Sequence, residues 1–271
     1  MSADQVSLSK TVVGAGLLAA VANVIMQLAR PEVGYGVIES RVASGQFRRH
    51  PFKRSRTTIS YLAVALLGDS TDKRAYRKAV NRSHARVRST PSSPVAYNAF
   101  DRELQLWVAA CLYRGFEDTH QVLVGPIDPA ERERFYQSGA ALGTTLQVRA
   151  EDWPPDREAF EKYWRAELDK LAIDEPVREY LMSLTEMRFL PWPAGLLFGG
   201  FSRFVTTGFL PPEFRDLMGL DWSEEEQRRF DRFLVALREL TRLAPPPVRR
   251  FPYNALLWDV RLRRRLGRPL V

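Results

Sequence analysis

The 271-residue chain is poor in the residues from which most metal and redox sites are built: it has one cysteine, Cys111, and three histidines, His50, His84 and His120. One cysteine excludes a disulfide within the chain, a Cys-ligated iron–sulfur cluster and a multi-Cys zinc site. Cys111 lies in an apolar run and reads as a packed, inert thiol. The three histidines are not spaced as an HExxH or a paired His/Cys zinc site. No glycine-rich phosphate loop is present, since Gly34 and Gly36 do not open a strand–turn–helix unit. No serine stands in a nucleophile elbow. A nucleotide enzyme and a serine hydrolase are therefore unsupported.

What is there is ordinary globular composition: 45% hydrophobic and 27% charged residues, which argues against disorder. The net charge of +8 comes mainly from dispersed arginine, which usually marks a solvated surface. The run from Val260 to Arg268 is more concentrated and suits an anionic lipid or nucleic acid. No zinc finger, RNA-binding sheet or aromatic–basic platform accompanies it, so nucleic acid is disfavoured. Val12 to Ala29 is apolar but contains Asn23 and Gln27 and lacks a basic leader, so it reads as a buried helix, with a membrane-contacting helix as the alternative. A cytoplasmic protein, with membrane association open, is the expected setting.

Apolar residues recur at spacings of three and four, and alternation of period two is scarce, which predicts an all-α fold. Prolines punctuate the segments at Pro91, Pro94, Pro154–Pro155, Pro191, Pro193, Pro211–Pro212 and Pro245–Pro247. A single domain over 1–271, with residues 1–10 as a tail, is the simplest organisation. A helix over 54–67 sets Arg54, Thr58, Leu62 and Leu66 on one line, with Thr57 beside them. A second, over 72–88 with Ser70 or Thr71 as N-cap, sets Tyr76, Val80, His84 and Val87 on one inward stripe. A third spans 100–113, and further helices are expected at 129–146, 156–172, 174–187, 222–243 and 253–265. From periodicity alone His84 is either a satisfied core residue or a ligand.

Several blocks, in order, resemble the helical haem-b oxygenase family that contains the latex clearing protein and the fungal oxygenase that trims a farnesyl chain in mycophenolic acid biosynthesis. They are Leu17–Val37 (an apolar helix, a Pro and a GV turn), Arg54 with Thr58 and Tyr61, Arg82–Val87 around His84, and Tyr97–Leu104 with Trp107–Val108. Asp152–Pro154 and Thr207–Pro211 follow. The resemblance implies a haem pocket enclosed by the helical domain, with His84 as iron ligand and Arg54, Thr57 and Thr58 on the opposite side. Where the rubber enzyme has a distal Lys this chain has Thr57, which implies an open or water-bound sixth position. Glu39 stands near the place of a carboxylate base. Arg30 replaces a His before Pro31, Ala109 replaces a His after Trp–Val, and Arg102 replaces a Pro.

The function so implied is a haem-dependent oxygenase. Its partners would be dioxygen and an apolar, isoprenoid or unsaturated lipid, whose carbon–carbon double bond is cleaved. The other reading is a non-catalytic helical protein: a haem carrier, or a basic protein at a membrane or on nucleic acid. Oligomeric state is open.

Overall fold

The computed structural model describes residues 7–42 and 50–271. The described chain is helical, with no strand beyond one isolated antiparallel bridge between Arg88 and Asn98. In order come α1 (Leu8–Thr11), a 3-10 segment (Gly14–Ala19), α2 (Ala20–Leu28), α3 (Pro31–Ile38), α4 (Pro51–Leu67), α5 (Ser70–His84), α6 (Arg102–Leu123), α7 (Arg132–Gly139) and α8 (Ala141–Thr144). Then follow α9 (Arg157–Leu168), α10 (Glu175–Thr185), α11 (Trp192–Phe209), α12 (Pro212–Met218), α13 (Glu224–Leu243), α14 (Pro246–Arg249) and α15 (Tyr253–Arg265). The all-α expectation is met.

The fold is arranged around α6, where Trp107, Ala110, Cys111 and Tyr113 are fully buried. α2 crosses it closely. Asn23 donates to the Cys111 carbonyl at 2.6 Å, Gln27 donates to Asn23 at 2.7 Å, and the Trp107 indole donates to the Gln27 carbonyl at 3.1 Å. The polar residues of the apolar N-terminal run thus have partners inside the protein, as a buried helix requires. Gly115 permits this crossing, since a Cβ there would lie 2.4 Å from the Asn23 amide nitrogen. Tyr113 also makes edge-on contacts with Tyr136, Trp153 and Phe160 at 5.0–6.0 Å between ring centroids. Such pairs contribute about 0.5–1.5 kcal/mol each beyond area burial.

Several elements differ from the periodicity. The 129–146 segment is two helices, broken around Gly139–Ala140. The GV turn after Pro31 is helix α3, with Pro at its first position, where the missing N–H costs nothing. α11 was not predicted, because an apolar run without a polar phase has no helical signature to read. α5 starts two residues earlier than expected. Asp69, not Ser70 or Thr71, is its N-cap, accepting from the Thr71 and Asp72 amides at 2.8 Å in a capping box completed by Asp72. It ends at His84, four residues short of Arg88, where the chain turns back on itself.

α15 packs along α4 and reaches α5. Asp72, fully buried, accepts from Arg261 at 2.9 Å and from Arg264 at 2.6 Å. Arg263 pairs with Asp259 at 2.8 Å, and Arg56 binds both Asp259 and the Leu270 carbonyl. Much of the basic C-terminal run is therefore internal wiring that ties the last helix to the helix carrying His84.

Candidate active site

α4 and α5 are joined by two residues and lie against one another, so their inward stripes converge. The register is held by Tyr76, fully buried, whose hydroxyl donates to the Thr57 carbonyl at 2.6 Å. On α4, Thr57 is buried and its hydroxyl donates back to the Arg54 carbonyl at 3.0 Å. Thr58 is half-buried one residue on. Arg54 is half-buried as well, and desolvation lowers its guanidinium pKa, opposed by Tyr180 and Tyr76 nearby. It stays charged at neutral pH, as arginine does in proteins.

His84 closes α5 and senses that charge. Its pKa falls from 6.5 to about 4, first through burial and then through the Arg54 cation, while the Gln147 side chain works weakly the other way. A helix C-terminus alone would favour the imidazolium, by about 0.3–1 kcal/mol. A fall of that size corresponds to roughly 3 kcal/mol in the opposite sense. Burial and Arg54 win, and the imidazole is neutral at physiological pH. Its Nδ1 is buried with no hydrogen-bond partner. The Phe100 ring stands edge-on to it, 6.2 Å between centroids.

Phe100 reaches His84 because the connection after α5 doubles back. Ala99 donates to the Val87 carbonyl at 3.0 Å and Ser89 to the Tyr97 carbonyl at 2.9 Å. The same loop holds Glu39, at the end of α3. Its Oε2 accepts from Ser93 at 2.6 Å and from Tyr97 at 2.7 Å. Arg54 and His84 therefore share one electrostatic environment, whereas Glu39 is tied to the loop that springs from His84. The solvent-facing side of α5 carries a shallow, open depression lined by Arg74, Arg77, Lys78, Asn81, Arg82 and Ala85, in which His84 takes no part. Asn81 accepts from Gln147, the residue that also faces His84.

Sequence reasoning did not identify Gln147, Phe100 or Tyr180. Gln147 sits in an irregular stretch between α8 and a 3-10 turn at Ala150–Asp152, where no periodicity assigns a direction. The departures from the family pattern have structural explanations. Arg30 is buried in an ion pair with Glu167, and Ala109 packs tightly in α6. Arg102 is exposed at the first turn of α6.

The donor set suits an iron macrocycle better than a bare metal ion. Among the described residues no group of three or more His, Cys, Asp or Glu is placed to hold a metal. A haem needs only one protein ligand. A neutral imidazole with an orphaned buried nitrogen, an aromatic edge beside it and a facing cation fit that requirement.

The chain matches the family model described as "ER-bound oxygenase mpaB/B'/Rubber oxygenase, catalytic domain" over residues 11–239. Two mycobacterial relatives, uncharacterized protein Rv2237 of Mycobacterium tuberculosis and uncharacterized protein Mb2261 of Mycobacterium bovis, are each 55% identical over 255 residues. Those residues are 94% of this chain and 100% of theirs. No solved structure matches the chain.

Proposed function

The chain belongs to the mpaB/rubber oxygenase catalytic-domain family, and on that premise we propose that it is a haem-b-dependent oxygenase acting on an apolar, isoprenoid or unsaturated lipid substrate. The observation that carries this reading is the buried His84 Nδ1 without a hydrogen-bond partner at the end of α5, beside the Phe100 ring and within the field of the Arg54 cation on the adjoining α4.

When bound, haem b supplies an iron at which dioxygen is activated for addition to, and cleavage of, a carbon–carbon double bond. His84 is the residue that would hold that iron. A protonated imidazole cannot donate its lone pair, so the lowered pKa keeps the ligand competent well into the acid range. Arg54 presents a positive charge to the same region and would pair with an anionic group of the bound cofactor, such as a propionate carboxylate. The Thr57 hydroxyl, engaged with the Arg54 carbonyl, holds the α4 backbone at that point. Thr58 orients water on the same face. Glu39 is the proton acceptor, and its two hydroxyl donors, Ser93 and Tyr97, set its orientation.

The test is turnover. Haem-reconstituted protein incubated with an unsaturated isoprenoid is expected to consume oxygen and release carbonyl products in step with substrate loss. A haem-loaded protein that leaves such substrates and oxygen untouched would reduce the function to haem binding.

A further inference from the structure

Helix α11 carries an apolar surface that the fold does not cover. Its C-terminal half is buried: Ser202, Val205, Thr206 and Thr207 face α2 and α13. Its N-terminal half is not. Trp192 is 79% exposed, Leu196 74% and Leu197 72%, with Phe198 and Phe201 about half exposed. α13 runs antiparallel beside it, since Phe201 meets Phe233 and Phe204 meets Phe230, so Leu240, 67% exposed, extends the patch. Scattered exposed apolar residues are normal, but a contiguous set of this size on one helix marks a surface that meets something apolar.

Charge identifies what it meets. From Met187 to Pro212 the chain has no acidic residue, and its only charges are Arg188 and Arg203. Both are about half exposed at the edge of the patch, sharing Glu186. On the stretch of α13 beside it, from Arg232 to Leu243, the charges are Arg232, Arg238 and Arg242, all exposed, against one acid, Glu239, which pairs with Arg242. An apolar face with an aromatic at its tip and an arginine rim is the composition of a helix lying in a bilayer interface. Spanning is excluded for this helix: no helix among the described residues is long and apolar enough to cross a membrane. The exposed part of α11, Trp192 to Phe201, covers only about 15 Å at helical rise.

We infer that the N-terminal half of α11, with its arginine rim, docks the protein onto the surface of an anionic lipid bilayer. The helix lies in the plane of the interface, with Trp192, Leu196 and Leu197 inserted among the acyl chains. This differs from both sequence-based candidates for membrane contact, because the N-terminal apolar run is buried against α6 and three of the five arginines in the basic C-terminal run, Arg261, Arg263 and Arg264, are paired internally. It does not depend on the oxygenase reading.

The test uses the full chain with vesicles of phosphatidylcholine containing about one-third phosphatidylglycerol. Co-sedimentation is expected, weaker on pure phosphatidylcholine. The double substitution Leu196→Glu/Leu197→Glu should lower the partition coefficient by about tenfold or more, with unchanged circular dichroism because both residues are exposed. As a second readout, Leu197→Cys can be labelled with a polarity-sensitive dye without background, since Cys111 is buried. The dye should shift to the blue on adding anionic vesicles. Three results would each overturn the inference: no vesicle binding, binding indifferent to the double substitution or to lipid charge, or a blue shift that follows protein concentration without lipid, with a doubled mass by light scattering.

Discussion

His84 and His120 look alike by the usual measures. Each lies on a helix, has a buried Nδ1 without a hydrogen-bond partner, and has its pKa lowered by desolvation. Their surroundings differ. His120 is 7% exposed, packs on Phe135 at 4.9 Å, and borders a void of only about 10 Å³ lined by Leu8, Val12, Phe116 and Thr119. That space is about the size needed for one water. Burial alone shifts its pKa. His84 ends its helix only half-buried, and a charged side chain, Arg54, acts on it. An orphaned imidazole nitrogen is thus not itself a ligand signal. The neighbouring cation and the partial exposure separate a site from a core residue.

The contrast can be sharpened by acid. Both histidines have folded pKa values below the unfolded one, so the folded state binds fewer protons. Their contribution to stability is complete above about pH 6.5 and is lost as pH falls toward the folded value. For His84 that window runs from 6.5 down to about 4. Chemical denaturation of apoprotein across it should show a loss on the order of 2–3 kcal/mol, reduced in a His84→Phe variant. An unchanged pH profile in that variant would remove His84 as the buried neutral group.

Asp72→Asn comes next. It leaves Arg261 and Arg264 without their buried carboxylate, and as both arginines are partly exposed the expected cost is about 2 kcal/mol. Hydrogen exchange should rise in α5 and α15 around His84 and leave the His120 region protected. Uniform loss of protection would mean that the clamp serves the whole fold equally. Arg54→Gln should raise the His84 pKa by on the order of one unit, followed in an imidazole NMR titration, and leave His120 where it is. Equal movement of both would sink the pairing. The smallest effect expected is His120→Ala, about 1 kcal/mol of stability from packing with haem uptake unaltered.

The helical class, α4, α6 and the inward direction of Arg54 and His84 were legible because their apolar residues repeat with helical period. That the two side chains share one environment was not legible from periodicity, which places each residue on its own helix only; the ordered family blocks joined them. The Asp72 clamp was hidden because its arginines lie 189 and 192 residues away in sequence. α11 was missed for the opposite reason: its exposed half is as apolar as its buried half, so no amphipathic pattern marked it.

The absorbance spectrum of protein reconstituted with haem b, compared among wild type, His84→Ala and His120→Ala, tests the central claim most directly. A Soret band with histidine-ligated character is expected in wild type and in His120→Ala. In His84→Ala the band should be lost, or displaced with affinity lower by about tenfold to a hundredfold, and restored in part by added imidazole. A wild-type protein that takes up no haem, or a spectrum that survives His84→Ala unchanged, would contradict it.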